Sequence, residues 1–291
     1  MAVANTITYD TLFEDVLQDR LDRPTTWKEM CDVTYTNTRV ISSSYFGTFP
    51  SVTSVTRGTG LAMNTISETA ETLTISTGKD LGVYVDWGDL AQSPWTKPAE
   101  LFDRIGALLN EAIESAVLAR HASWTNFGDT GGGVLGLAAT AITITASNID
   151  DVIRGVKTQV RVANGTSQMN QFGIGFVWRP ADFELLEAFT QANGTMTADK
   201  FLVEGTMPGL KYLGCDHYFS NDYTAGHVMA GVKKIERLGI LSATNGRAHV
   251  IDFPAADSNT FFSGQAFYAR TDFGHLTPSG LSTLIFDVNV A

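Results

Sequence analysis

The spacing of apolar side chains predicts one long amphipathic helix over residues 97–122. Apolar residues recur there at three- and four-residue steps, as they do along one face of an α-helix. The predicted face consists of Leu101, Ile105, Leu108, Ala112, Ala116 and Ala119, widened by Phe102, Leu109, Ile113 and Val117. At about 1.5 Å per residue this helix would span roughly 37 Å, more than most helices in globular proteins. We therefore expect it to form a spine that lies on a sheet.

Two short strands are predicted before this helix. Apolar and polar residues alternate over residues 72–76 and again over residues 81–85, which is the period of a strand. Residues 78–80, Gly-Lys-Asp, are predicted to form the turn between them. Asp86 and Asp89 follow in a second turn, where short acidic side chains usually satisfy backbone donors. This role is a better explanation of the two acids than a pair of reactive carboxylates.

Residues 48–72, here called the flap, are rich in Thr and Ser, with Gly58 and Gly60 near the middle. Thr favours extended backbone, but too few large apolar groups alternate here to bury one face of a sheet. The segment is therefore predicted to be a projecting hairpin that bends at residues 58–60. Because an isolated two-stranded ribbon is marginally stable in water, we expect it to pack on a neighbouring subunit. The alternative is a flexible surface loop.

The second half of the chain alternates strands and helices, which predicts an α/β lobe. A strand over residues 141–146 precedes a helix whose start carries a capping-box pattern at Ser147 and Asp150. A strand over residues 172–178 and a helix over residues 180–189 follow. The side chains predicted to face inward from the first of these helices are Ile149, Val152, Ile153, Val156 and Val160.

This order of elements resembles the major capsid proteins of tailed bacteriophages with the Hong Kong 97-type fold. The resemblance covers most of the chain and rests on order and pattern, without a single diagnostic motif. The stretches that carry it are LTISTGKDLGVYVDWGDLAQS, FGIGFVWRPADFELLEAF, PGLKYLGCDHYFSND and FFSGQAFYARTDFGHLTPSGLSTLIFDV.

The resemblance implies an α+β fold with an N-terminal arm, an extended hairpin (E-loop), a peripheral (P) domain that contains the spine helix, and an α/β axial (A) domain. The implied bounds are 1–45 for the arm, 46–79 for the E-loop, 80–137 and 255–278 for the P domain with its spine helix at 97–122, and 138–254 and 279–291 for the A domain.

The resemblance also implies a function. The chain is expected to be a virion protein, assembled in the host cytoplasm, that forms pentamers and hexamers of an icosahedral head shell around double-stranded DNA. The helical pattern from Asp10 to Leu21 is too short for a coiled coil, so we expect a separate scaffolding protein instead of a fused one. A portal and a cement protein are further expected partners. The alternatives are an encapsulin-like nanocompartment shell and, from another class, a soluble α/β enzyme with an unrecognised site.

In the type member of this capsid family, a lysine of the flap forms an isopeptide bond with an asparagine of a neighbouring subunit. Between Tyr45 and Gly78 the present chain has no lysine, and its only base there is Arg57. A guanidinium stays protonated and is a poor nucleophile. Lys79 is predicted to lie at the base of the flap. The shell is therefore expected to hold together without covalent links.

Composition and charge narrow the function classes. A formal net charge of −11 argues against a protein that binds nucleic acid, because such binding needs Lys and Arg to neutralise phosphates. We therefore expect the shell to enclose DNA without sequence-specific contacts. The 291 residues contain no apolar run long enough for a membrane span and no secretory signal at the start, so no membrane partner is expected. Cys31 and Cys215 are expected to be free thiols.

No catalytic, cofactor or metal site is predicted, and the chain is not expected to be an enzyme. The glycine-rich stretch at 126–136 lacks the Gly-Lys-Ser/Thr ending of a phosphate-binding loop and is predicted to be a flexible connector. Cys215 and His217 lie on one face of a predicted strand, but two ligands do not make a zinc site, and a buried pair is the better interpretation. No serine lies in a Gly-x-Ser-x-Gly motif. The other four histidines are scattered along the sequence, at His121, His227, His249 and His275.

Overall fold

The computed structural model describes residues 17, 25–46, 68–86, 98–163, 165–192, 210–221, 223, 225–242, 247–253 and 264–291. Its α-helices are α1 (Thr26–Met30), α2 (Pro98–Leu118), α3 (Ile149–Val162), α4 (Thr166–Phe172) and α5 (Pro180–Ala192), and short 3-10 helices cover Ala119–Ser123 and Ser282–Leu284. Its strands are β1 (Asp32–Thr36), β2 (Val40–Phe46), β3 (Glu68–Thr74), β4 (Thr77–Asp86), β5 (Thr125–Asp129), β6 (Leu135–Gly136), β7 (Ile174–Trp178), β8 (Leu210–Tyr212), β9 (Cys215–Phe219), β10 (His227–Val232), β11 (Arg237–Leu241), β12 (Arg247–Phe253), β13 (Gly264–Leu276) and β14 (Ile285–Asn289).

The first sheet has five strands and is organised around the long strand β13. Along one edge β13 pairs antiparallel with β4, from Gly264 opposite Asp86 to Phe273 opposite Thr77. Its other edge pairs antiparallel first with β12 and then with β11. Strand β1 extends this sheet as a parallel neighbour of β11. Segments from both ends of the chain thus meet in one sheet.

Helix α2 lies on this sheet, as the sequence predicted, and begins at Pro98. Its N-terminal half packs with Phe267 and Ala269 of β13, and its C-terminal half packs with Leu238 and Phe273. The apolar residues of α2 that are buried are Leu101, Phe102, Ile105, Leu109, Ile113, Val117 and Leu118. The buried stripe is therefore rotated from the predicted one, and Leu108 is 51% exposed. Helical spacing alone did not decide which edge of a wide apolar face would meet the sheet.

The second sheet has seven strands in the order β6-β5-β14-β10-β7-β9-β8. Strands β14 and β5 are parallel, as are β7 and β9, and the other neighbouring pairs are antiparallel. All five residues of β7 and of β14 are buried. The helix α3 packs into the core of this sheet through all five side chains that the sequence predicted to face inward. Among the described residues this core is the largest of the four apolar clusters.

The segment around residues 72–85 differs from its prediction. Residues 78–80 do not form a turn, because they lie inside β4 and pair with residues 270–272 of β13. The break falls instead between Thr74 and Thr77, and β3 and β4 pair with different partners. The alternation of side chains was correctly interpreted as strand, but a Gly-Lys-Asp sequence can continue a strand when a long partner supplies the hydrogen bonds.

Three local predictions in the second half also need correction. The glycine-rich stretch is a tight hairpin between β5 and β6, in which Gly131, Gly132 and Gly133 have φ of +120°, +65° and +82°. Such φ values suit glycine, so the glycines serve the turn. Residues 141–146 make only a single bridge, between Ile142 and Val290. The N-cap of α3 is Asn148 and carries no side-chain capping bond.

One predicted domain contributes strands to both sheets. Residues 138–254 were grouped in one domain, but β11 and β12 within that range belong to the first sheet with β13. The pairing of β11 with β13 links residues far apart in sequence, and no local pattern reports it. None of the helices in the described part of the chain is long and apolar enough to cross a membrane.

Candidate functional site

Among the described residues, the hairpin formed by β2 and β3 packs on the first sheet at its base. The two strands pair antiparallel from Val40 opposite Thr74 to Phe46 opposite Glu68. At the base, Leu73, Ile75 and Leu241 form a small buried cluster. Farther along β3, Glu68, Thr69 and Ala70 are exposed. The hairpin begins before the predicted bound at residue 46, and its predicted bend at residues 58–60 lies outside the described residues.

Glycines in the first sheet make room for the base of this hairpin. A Cβ atom on Gly274 would lie 2.1 Å from the carbonyl oxygen of Thr74 and 2.9 Å from the Cα of Ile75. A Cβ atom on Gly239 would lie 2.7 Å from a methyl carbon of Leu73. Contacts below 3.0 Å require movement. The Leu73 methyl group lies at the end of a flexible side chain and can shift, whereas the backbone of Thr74 and Ile75 cannot, so the close approach of the hairpin depends chiefly on Gly274.

Polar contacts orient the hairpin on the rest of the chain. The Glu71 carboxylate accepts hydrogen bonds from the backbone N–H and the hydroxyl of Ser279, at 2.7 and 2.6 Å. The guanidinium of Arg237 donates to the Ser43 hydroxyl at 2.7 Å. A charged partner makes such bonds stronger than neutral ones. These contacts tie β2 to β11 and β3 to the segment that follows β13.

The junction between the two sheets contains a buried acid, Glu236, in the connection between β10 and β11. The Thr277 hydroxyl donates to one carboxylate oxygen at 2.5 Å, and the Arg120 Nε lies 3.4 Å from the other. Burial raises the pKa of Glu236, although the Thr277 hydrogen bond and the charge of Arg120 oppose this shift. Because Arg120 directly follows the spine helix, this pair joins the end of α2 to the junction.

Helix α1 also bridges the two cores. Trp27 and Cys31 pack in the core under the first sheet, while Met30 packs in the core of the second. The Lys234 ammonium donates to the carbonyl oxygens of Lys28 and, at 2.9 Å, of Cys31, at the C-terminal end of this short helix. A cation there is favourable because the last carbonyl groups of a helix lack internal partners.

A second cluster at the junction was missed by the sequence analysis. The rings of His121 and His227 are stacked with centroids 3.8 Å apart, and both face the buried carboxylate of Asp287. These residues lie far apart in sequence, so only the tertiary structure brings them together. The alternation of apolar Phe286 and Val288 with Asp287 would place this acid on an exposed face, but all of β14 is buried, so no local pattern identifies Asp287 or its partners.

In the described part of the chain, the other candidate residues of the sequence do not come together in a group that could bind or react. Cys215 and His217 are both fully buried on β9, which confirms the interpretation as a buried pair. The His217 ring accepts a hydrogen bond from the Trp178 indole at 3.0 Å, and burial lowers its pKa to about 4. Asp86 ends β4, while Asp89 lies outside the described residues.

The cysteines are free, as predicted, and both are buried, which is the main cause of their raised pKa values. The pKa of Cys215 rises to about 11, and that of Cys31 rises further. Buried thiols in the protonated form are unreactive.

A surface cavity of about 490 Å³ is lined by Asp129, Asp151 and Asn148, among others.

Comparison with solved structures supports the fold, whereas comparison of sequences finds no match. Neither a protein-family model nor a curated protein sequence matches the chain. A solved structure from Mycobacterium phage Che8 aligns with a TM-score of 0.62 at 16% sequence identity, covering 86% of this chain and 84% of the other. The capsid of the empty GTA particle aligns with a TM-score of 0.62 at 13% identity, covering 91% and 90%.

A third solved structure, of a virus-like particle from Pyrococcus furiosus, aligns with a TM-score of 0.57 at 11% identity, and it covers 97% of this chain and 99% of the other. At these identities the likeness concerns the fold. It includes most of each chain, so the shared architecture is not confined to one part of the chain. The chain has the α+β Hong Kong 97-type fold that its sequence resembles.

Proposed function

We propose that this chain is the major capsid protein of a tailed bacteriophage, which assembles as pentamers and hexamers into an icosahedral head shell around double-stranded DNA. The observation that carries the proposal is the β2–β3 hairpin, docked at its base and exposed along Glu68–Ala70, in a chain of the Hong Kong 97-type fold. An exposed two-stranded ribbon gains stability when a second surface covers it. In a shell that surface belongs to a neighbouring subunit.

The domain assignment follows the sheets. We assign the hairpin of β2 and β3 to the E-loop, and the five-stranded sheet with α2 to the P domain. The seven-stranded sheet with α3 and α5 forms the A domain in this assignment. Compared with the bounds expected from sequence, the E-loop gains residues 40–45, and the P domain gains β1, β11 and β12.

The acidic composition suits a wall that contains DNA. A net charge of −11 gives little attraction for phosphates, so packaged DNA can leave without breaking many ion pairs. The role is structural, without catalysis. A portal, a separate scaffolding protein and a cement protein are the partners that such a head requires in this proposal. The chain functions in the virion after assembly in the host cytoplasm.

Deletion of residues 55–67 tests the proposal and the role of the flap together. The full chain should sediment as particles or capsomers, whereas the deletion variant should remain folded by circular dichroism and form no closed shells. A matched variant with 55–67 replaced by Gly and Ser at equal length separates the loss of length from the loss of sequence.

Normal shells from the deletion variant would contradict the role of the flap. A full chain that remains a monomer at every concentration, both alone and together with a scaffolding protein, would contradict the proposal itself. Closed shells that contain protein cargo in place of DNA would identify the alternative, an encapsulin-like nanocompartment.

A further inference from the structure

The cluster of His121, His227 and Asp287 has the composition of a metal site. Each residue offers one possible metal ligand, a ring nitrogen or a carboxylate oxygen. In the described part of the chain, these three ligand atoms all lie within 4.8 Å of one another. The Nδ1 atom of His227 lies 2.9 Å from Asp287 Oδ2, and the Nδ1 atom of His121 lies 3.5 Å from the same oxygen.

Three secondary-structure elements present these side chains at fixed positions. Strands β10 and β14 are antiparallel neighbours in which His227 lies opposite Asn289 and Met229 lies opposite Asp287. His227 and Asp287 are therefore diagonal neighbours, which lie on the same face of a sheet. His121 comes from the 3-10 turn after α2, where the Trp124 N–H donates to its carbonyl oxygen at 3.1 Å.

The Asp287 carboxylate, whose side chain is only 2% exposed, needs one positive charge beside it, because a buried negative charge away from water is costly. One imidazolium can supply that charge, whereas protonation of both rings would place two like charges in a stack with centroids 3.8 Å apart. A divalent cation can take the place of the imidazolium proton, because it accepts lone pairs from both neutral imidazoles and from the carboxylate.

We propose that His121, His227 and Asp287 bind one divalent transition-metal ion of the Zn²⁺ class. Bonds of about 2.0–2.2 Å in a tetrahedral site place ligand atoms roughly 3.3 Å apart, and the two nitrogen–oxygen distances of 2.9 and 3.5 Å bracket this value. Two nitrogens and one oxygen suit Zn²⁺, Co²⁺ or Ni²⁺ better than Mg²⁺ or Ca²⁺, which prefer oxygen ligands.

The histidine side chains are 21% and 24% exposed, so an ion can enter and retain water in its remaining positions. The bound ion would tie the end of the spine helix, through His121, to two central strands of the second sheet. A ligand that binds only the folded chain raises its stability in proportion to the logarithm of ligand concentration over Kd. The site would therefore act as a clamp at the junction between the two sheets.

Titration of the tag-free full chain with Co²⁺ and Zn²⁺, after treatment with EDTA, tests this site. We expect one ion per chain, a Co²⁺ absorption band of a low-coordinate site, and a higher melting temperature with Zn²⁺ but not with Mg²⁺. The variants His121→Ala and His227→Ala should each weaken binding at least about tenfold, since each removes a ligand. His249→Ala, in β12 of the other sheet, is the matched control and should bind as the parent chain does.

Circular dichroism in EDTA shows whether each variant is folded, and both histidine side chains are partly exposed, so each substitution leaves little empty space in the core. Absence of saturable binding by the parent chain would overturn the proposal, leaving a hydrogen-bonded cluster of two histidines and an aspartate. Equal stoichiometry and affinity in the parent chain and in both histidine variants would overturn it as well. Neither result depends on whether the chain forms shells.

Discussion

Gly274 of β13 approaches Thr74 of β3 so closely that a Cβ atom on residue 274 would lie 2.1 Å from the Thr74 carbonyl oxygen. This contact joins the long central strand of the first sheet to the base of the exposed hairpin. Because the neighbouring atoms belong to the backbone, a rotamer change cannot relieve the overlap. The position of the hairpin therefore depends on a missing side chain in another strand.

Gly274→Ala should displace the base of the hairpin and impair assembly. Overpacking of this kind costs about 1–3 kcal/mol in the free energy of unfolding. Gly82→Ala is the matched control, because a Cβ atom there would meet only the Tyr268 ring at 3.6 Å. Urea denaturation and sedimentation of both variants provide the measurements. Normal assembly and unchanged stability in Gly274→Ala would show that the hairpin base can move without consequence.

Arg120→Ala should destabilise the chain, since it leaves the buried carboxylate of Glu236 with less compensation. Arg120 is 29% exposed, so we expect a loss of about 1–3 kcal/mol, less than for a fully buried pair. Arg154→Ala removes an exposed partner of Asp150 and should cost less than about 0.5 kcal/mol. The double variant Arg120→Met/Glu236→Gln should recover part of the loss. Equal losses of unfolding free energy in Arg120→Ala and Arg154→Ala would show that the Arg120–Glu236 pair stabilises the chain no more than an exposed ion pair does.

Much of the fold could be predicted where the signal is local. The inward face of α3 was correct because its five apolar positions have strict helical spacing and a polar remainder. The face of α2 was only approximately correct because apolar residues cover more of that helix than the sheet can bury, which left Leu108 exposed. Gly78 misled the turn prediction because the length of β13, its partner strand, cannot be inferred from residues 77–86.

The candidate sites were harder to predict than the elements. The base of the hairpin depends on Gly274, about two hundred residues after Thr74, and glycine in a strand gives no sign of which backbone approaches it. His121, His227 and Asp287 come from three separate parts of the chain. Their proximity follows from the pairing of β10 with β14 and from the end point of α2, which are properties of the tertiary structure.

The stability of the chain should fall as pH decreases from about 6.5 towards 4, in part because of His217. The pKa of this buried histidine is about 4 in the folded chain, while an exposed histidine titrates near 6.5. Between these values the unfolded chain binds the proton first, so acid favours unfolding. At pH 5 the contribution is on the order of 2 kcal/mol.

His217→Gln should reduce this pH dependence, because glutamine does not titrate and can still accept the Trp178 hydrogen bond. Urea midpoints at pH 7 and pH 5 for the parent chain, His217→Gln and the control His249→Gln measure the difference. An unchanged difference between the two pH values in His217→Gln would assign the acid sensitivity to other groups.

Particles of this chain should dissociate fully into single chains in hot denaturing detergent under reducing conditions. The sequence contains no lysine between Tyr45 and Gly78, and Lys79 lies inside β4, opposite Thr271 of β13. We therefore expect one band near 31.4 kDa on a denaturing gel. A ladder of covalent oligomers would show that a lysine elsewhere forms links between subunits.

Electron microscopy of the expressed full chain tests the central claim most directly. The account predicts closed or partial shells built from pentamers and hexamers, with the β2–β3 hairpin of each subunit lying over a neighbouring subunit. A monodisperse monomer at high concentration that binds a small molecule saturably would contradict it, and would identify a soluble protein that uses the Hong Kong 97-type fold for another purpose.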